Sequence, residues 1–208
     1  MRTPLLIALL LTSACASAAD QTRALAPFST VSSEGPMNIV VQAGAAQSVL
    51  VRGDDKYLAK VETRVVNGEL VITYPREKNN KMHFSSDNKI LISMPSLKGF
   101  HVEGAGSAEL NNISGDAIDI SFQGAGRLVA NGKVKYLKLM AQGVGDVDTK
   151  ALLAQRAEVN FEGIGQVKVH ASERLDAVVQ GMGSLNYYGN PKTVNKTVDG
   201  IGSVKAGD

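Results

Sequence analysis

Three histidines, His83, His101 and His170, are the first candidates for acid–base or metal chemistry, and they fall on three separate segments. His101 and His170 stand one position from alternating apolar residues, which places them on the outward side of a strand. No His-x-x-x-His or His/Cys cluster offers metal-ligand spacing. Carboxylate pairs at Asp54/Asp55, Asp116/Asp119 and Asp146/Asp148 could do general acid–base work, but they sit where turns are common. A nucleotide fingerprint fails as well. Glu109, Val129, Asp148, Lys168, Asn186 and Lys205 stand near the place of a third glycine, and no helix pattern follows. There is no G-x-S-x-G elbow, and Asp146-Val147-Asp148 alone is too little for a calcium-binding repeat. Tyr187-Tyr188-Gly189-Asn190-Pro191 reads as a strand end before a turn, with an aromatic contact patch as the other reading. The residues thus nominate no catalytic group, no metal site and no cofactor site.

The elements that would position any site announce themselves through glycine. Of 208 residues 21 are Gly, and twelve of these form six G-x-G motifs. They are Gly104/Gly106, Gly124/Gly126, Gly143/Gly145, Gly163/Gly165, Gly181/Gly183 and Gly200/Gly202, with first glycines 20, 19, 20, 18 and 19 residues apart. A fixed period near 19 marks a repeat architecture. The flanks repeat too. Val102, Phe122, Ala141, Phe161, Val179 and Val198 lie two residues before each motif; Ala108, Leu128, Val147, Val167, Leu185 and Val204 lie four residues after each first Gly. Alternation at period two is a half-buried strand, and paired glycines at this frequency would weaken a helix badly.

Geometry turns the period into a shape. At roughly 3.3 Å per residue, a 19-residue coil has a perimeter of about 63 Å, or three sides of about 20 Å. Stacked coils bring equivalent residues into columns about 4.8 Å apart. The expected fold is therefore all-β, a single-stranded β-helix or β-solenoid whose corners carry the twelve glycines. The apolar middle residue of each motif is expected to point inward. The polar residue before each motif (Glu103, Gln123, Gln142, Glu162, Gln180 and Asp199) is expected to form a hydrogen-bonded ladder along the stack. No two acids are adjacent in that order, as a ladder requires if like charges are to stay apart. A cation-binding acidic column is the competing reading.

The first half carries strands without the motif, at residues 37–41, 48–51 and 90–94. Asn67-Gly68 between Val65-Val66 and Leu70-Val71-Ile72 signals a tight hairpin, and Gly53-Asp54 a turn. Polar residues 76–89, with Lys78, Asn79, Asn80 and Lys81, read as a long loop or exposed hairpin. This half is expected to begin the same solenoid with irregular coils and to cap its end; a separate sandwich domain is the alternative.

The N-terminus is an address. Met1-Arg2-Thr3-Pro4 is a short positive start, residues 5–11 are an apolar run, and Ala16-Ser17-Ala18 fits the small-x-small rule for cleavage. The run is too short to span a bilayer, which takes about 20 apolar residues, so the chain is not read as an integral membrane protein. The domain reading is a signal peptide over 1–19 and one solenoid over 20–208, irregular over 20–99 and regular over 100–208. Cys15, the only cysteine, could carry a lipid, but Thr12 stands where such sites usually have a Leu-like residue. Plain cleavage is favoured, and it leaves a mature domain without thiols. Net charge is +2 and aromatics are 5%. Both argue against nucleic acid as a partner.

The reiterated Glu103-Gly104-Ala105-Gly106-Ser107, Gln142-Gly143-Val144-Gly145-Asp146 and Gln180-Gly181-Met182-Gly183-Ser184, behind a signal peptide and an irregular β-rich opening, resemble one bacterial family. It is the family described as "putative auto-transporter adhesin, head GIN domain", and the likeness spans roughly Phe28 to Val204. The resemblance implies an exported, right-handed β-helix-like domain of Gram-negative envelopes, in the periplasm or at the cell surface, and supplies no catalytic residues. Four residues follow Val204, against the eight or more strands of a membrane barrel, so passage beyond the outer membrane is expected to use other machinery. The expected function is a non-enzymatic scaffold presenting a rigid face to an envelope protein or glycan, its oligomeric state left open. The alternatives are a polysaccharide-active β-helix enzyme, for which Asp146 and Asp148 would be tested first, and a structural or stress-linked periplasmic protein without a fixed ligand.

Overall fold

The computed structural model describes residues 19–75 and 88–207. The segment expected as a signal peptide, with Cys15, and His83 and nearly all of the polar stretch expected as a loop lie outside the described residues.

The described chain is nearly all β. In chain order it runs β1 (Ala19–Thr22), β2 (Thr30–Glu34), β3 (Met37–Ala43), β4 (Ser48–Gly53), α1 (Asp55–Lys60), β5 (Glu62–Val66), β6 (Glu69–Thr73), β7 (Lys89–Met94), β8 (Gly99–Tyr188), β9 (Thr193–Gly200) and β10 (Ser203–Ala206). One open hydrogen-bonded sheet takes in all ten strands. β8 is a run of 90 residues, and a straight strand of that length would reach about 300 Å. It instead turns back on itself repeatedly, because Gly104, Gly124, Gly143 and Gly163 lie backbone against backbone in succession.

The pairing register shows how the first half joins. β2 and β3 lie parallel to the start of β8, with Val31 opposite Phe100, Glu34 opposite Glu103, Met37 opposite Gly106 and Val41 opposite Leu110. On their far side β2 pairs β6 and β3 pairs β7, again in parallel. Space and sequence therefore differ in order. Residues 30–43 are sandwiched between residues 69–94 and residues 99–111. Beyond β6 and β7 the pairing becomes antiparallel, with β5 on β6, β4 on β7 and β1 on β4. At the other end β9 and β10 lie parallel to the last part of β8, with Leu175 opposite Val194 and Leu185 opposite Val204.

Alternation makes the core. In β3 the buried Met37, Ile39, Val41 and Ala43 alternate with partly exposed neighbours. The same parity buries Phe100, Ile120, Leu139, Val159 and Ala177 in one column, and Ala108, Leu128, Val147, Val167, Leu185 and Val204 in another. Each large aliphatic or Phe side chain so buried contributes roughly 1.5–3 kcal/mol. Among the described residues two polar side chains, Ser33 and Thr149, are buried in this core. The Thr149 hydroxyl donates to the Lys168 carbonyl at 2.8 Å, which removes the penalty of a buried orphan, whereas the Ser33 hydroxyl is buried without a partner.

Two local features follow from single residues. Asn67 (φ 52°) and Gly68 (φ 78°) turn β5 into β6 with Val66 opposite Glu69, as a two-residue hairpin with both central residues left-handed requires. Asp54, expected in a turn, instead caps α1, its carboxylate accepting from the Tyr57 amide at 2.8 Å. The six-residue helix carries no amphipathic period long enough to read, and its cap was its only sequence signal.

Candidate functional site

The six G-x-G motifs stack. A Cβ on Gly124 would fall on the Gly104 carbonyl, one on Gly143 on that of Gly124, and one on Gly163 on that of Gly143. The second glycines behave alike through Gly106, Gly126, Gly145 and Gly165. Gly181 and Gly200 continue the first column; Gly183 and Gly202 continue the second. Nine of the twelve glycines have positive φ; Gly145, Gly183 and Gly202 do not. The first column also reaches one repeat further than the period suggests, because a Cβ on Gly104 would meet Gly35. Glu34-Gly35-Pro36-Met37 is thus a seventh bend, with Met37 in place of the second glycine. Its signal was the Glu-Gly pair. The step of 69 from Gly35 to Gly104 hides it from a search at period 19.

The middle residues face outward, contrary to the expectation from their apolar character. Val144 is 54% exposed, Ile164 47%, Met182 54% and Ile201 82%. Ala125 is exposed and Ala105 half-buried. The reason is parity. Counting from each first glycine, the residues two and four before and four after, all at even places, are buried through the middle repeats; at the ends Val102 is half-buried and Lys196 and Val198 are exposed. Alternation runs on through the bend, so the glycines themselves take the even places, where a side chain would strike the next repeat. The middle residue, at an odd place, shares the outward side with the polar residues before and after the motif. The result is an apolar crest along one corner of the stack.

The polar residues beside the crest are all exposed or half-buried. Gln142 donates from Nε2 to Glu162 Oε2 at 3.1 Å, one rung between neighbouring repeats. Gln123 turns instead to Ser121 Oγ at 3.4 Å. Among the described residues no other hydrogen bond joins members of the set Glu103, Gln123, Gln142, Glu162, Gln180 and Asp199. A second, unforeseen rung lies elsewhere, where Asn131 Nδ2 donates to Asn111 Oδ1 at 2.6 Å and Asn131 Oδ1 accepts from the Asn112 amide at 3.0 Å. Asn112 has φ 57°.

Of the carboxylates considered for catalysis, Asp54 caps α1 and Asp116, Asp119 and Asp148 are paired. Asp116 pairs with Lys135 at 2.8 Å, which holds its carboxyl below the usual range, and Asp119 faces Lys138 at 3.7 Å. Asp148 accepts from the Lys150 amide at 3.1 Å and pairs with Lys168 at 3.4 Å. Asp146 keeps one buried oxygen without a partner. His101 is exposed, as its parity suggests; His170 is half-buried, its Nδ1 buried without a partner. Tyr188 receives the Lys150 ammonium over its ring at 3.9 Å. No group of three or more His, Cys, Asp or Glu among the described residues could hold a metal ion.

An open cleft of about 760 Å³ lies beside α1, lined by Asp20, Arg23, Asp55, Leu58, Val61 and Glu62 among others. Arg23 donates to the carbonyls of Leu58 and Val61 at 3.2 Å each, closing the helix C-terminus, where a cation is favoured. Asp20 and Arg52 make a two-pronged pair at 2.7 and 2.8 Å, and that hydrogen-bonded guanidinium holds the Asp20 carboxyl below its ordinary range.

Solved structures share this architecture. A "putative adhesin" from Bacteroides fragilis matches with TM-score 0.72 and 21% identity, covering 91% of this chain and 97% of its own. Two proteins from Parabacteroides distasonis, each covering 92% of this chain and 97% of its own, match less closely. One is a "putative adhesin" (TM-score 0.52, 19% identity) and the other a "putative lipid binding protein" (TM-score 0.50, 20% identity). At such identities the likeness is one of fold. No curated protein matches the sequence. No described helix is long and apolar enough to cross a membrane. The family profile described as "Putative auto-transporter adhesin, head GIN domain" matches residues 27–191, most of the chain and every G-x-G bend but the last, and the protein belongs to that family.

Proposed function

We propose that this chain is a non-enzymatic β-solenoid of the bacterial cell envelope that presents a rigid surface for binding or adhesion. The observation that carries the reading is the stacking of seven successive bends, Gly35 to Gly200, in backbone contact. Stacking of this kind turns one residue of each repeat into a continuous column and builds an extended surface from a short sequence unit. The parallel register on both walls of the bend supports it, and a right-handed winding accords with the handedness of parallel crossovers. The family description, which names an adhesin, supports the binding role and an exported location. The segment ahead of Asp20 supports cleavage of a signal peptide. The twelve glycines then serve as corners, and the polar residues before them as a partial ladder.

The test is capture. The purified mature chain, immobilised, is exposed to whole cells, glycan arrays and solubilised envelope proteins. Specific retention of one class is the expected result. Retention of none, together with a deletion strain that is sensitive to envelope stress, would instead support a structural role without a ligand. N-terminal mass analysis of the native protein separates cleavage ahead of Asp20 from lipidation at Cys15.

A further inference from the structure

The apolar crest is the largest departure from what a solvated surface needs. Val144, Ile164, Met182 and Ile201 occupy successive repeats and are 54%, 47%, 54% and 82% exposed. Pro36, Ala105 and Ala125 extend the line toward the other end. Isolated exposed aliphatics need no explanation, but a contiguous row marks an interaction surface. At about 4.8 Å per repeat the row from Ala105 to Ile201 is roughly 24 Å long.

The shoulders of the crest decide what can lie on it. The residues just before and just after the seven bends include Glu34, Glu103, Glu162, Asp199 and Asp146, against a single cation, Arg127. The whole chain carries +2, so acid is concentrated along this corner. A second copy applied crest to crest would bring acid onto acid, which opposes association. An anionic lipid surface is repelled for the same reason. A polypeptide whose apolar stripe is bordered by Lys and Arg meets both demands, an apolar interface core and a complementary charged rim.

We propose that the crest formed by Val144, Ile164, Met182 and Ile201 is a docking surface for a basic, amphipathic segment of another protein. The assignment rests on the binding role proposed above and names its partner class. A helix of about 16 residues matches the whole row from Ala105 to Ile201 in length.

The probe is an 18-residue helical peptide of Leu and Lys with Leu on one face, titrated into the full mature chain by fluorescence anisotropy beside its Leu/Glu twin. The Lys peptide is expected to bind at least ten-fold more tightly than the twin, with affinity falling as salt rises. Ile164→Ser combined with Met182→Ser should weaken it at least ten-fold. Glu103→Lys with Asp199→Lys, a pair that leaves the crest intact, should do the same. Leu153→Ser, at an exposed aliphatic outside the bends, should leave it unchanged. Circular dichroism and melting confirm that each variant is folded. Equal affinity for the two peptides overturns the proposal, as does binding indifferent to the crest variants. So does crest-dependent self-association in sedimentation, which would make a second copy the occupant, or crest-dependent binding to phosphatidylcholine vesicles. Capture of cells or glycans that persists undiminished in the crest variants would remove the crest as the site and leave the binding role standing.

Discussion

Replacing Gly163 by Ala tests the stacked bend, and Gly115 supplies its control. The two glycines have nearly the same backbone, φ +147° and +144°, so the conformational strain imposed by a Cβ is nearly the same at both. That strain is on the order of 1–3 kcal/mol. Their surroundings differ. A Cβ on Gly115 would meet nothing within 4 Å, whereas one on Gly163 would land on the Gly143 carbonyl, which is backbone and cannot rotate away. The neighbouring repeat must shift, and overpacking of this kind costs about 1–3 kcal/mol more. Gly163→Ala should therefore exceed Gly115→Ala by about 1–3 kcal/mol, which for a domain of this size corresponds to a melting temperature lower by roughly 2–12 °C. Equilibrium denaturation with urea, followed by far-UV circular dichroism, reads the difference directly. Equal losses for the two variants would refute the close approach of successive repeats, and with it the reason for glycine at these positions.

Phe100→Ala should cost about 3–5 kcal/mol in the same assay, since its fully buried ring faces Val31 across the junction between the first half and the repeats. Asp54→Ala removes the cap of α1 and should cost about 1 kcal/mol; Asp54→Asn should restore most of it. Tyr136, whose hydroxyl donates to Glu158 at 2.6 Å, should ionise only near pH 12. Alkaline difference absorbance should show that titration return toward about 10 in Glu158→Gln. The folded-state value is raised, so any stabilisation from this bond is full below about pH 10 and is lost as pH rises toward the folded-state value.

The repeats were legible because period two and period 19 are properties of the chain itself. The columns of Phe100, Ile120 and Leu139 and of Ala108, Leu128 and Val147 follow from alternation, and the hairpin at Asn67-Gly68 from two residues that tolerate positive φ. The direction of the middle residue is not legible from its type, because apolar character points inward while parity points outward. Parity prevailed, since the glycines fill the positions where neighbouring backbones meet. Glu34-Gly35-Pro36-Met37 is not legible as a repeat because the step from Gly35 to Gly104 is 69 residues, far from the period of 19. Only the tertiary pairing shows that residues 30–43 lie between residues 69–94 and 99–111, a consequence of hydrogen bonds between segments distant in sequence.

The sequence by itself determined the β character, the spacing of the bends and the alternation that fills the core, all of which are local in origin. The tertiary structure decided the order in which segments stack, the antiparallel strands β5, β4 and β1 beyond one end of the parallel stack, and the gathering of outward residues from six repeats into one acidic-edged apolar crest. Those depend on which segments share a hydrogen-bonded edge. No local preference can specify that, because a strand's unsatisfied edge accepts any partner whose register also buries its apolar face.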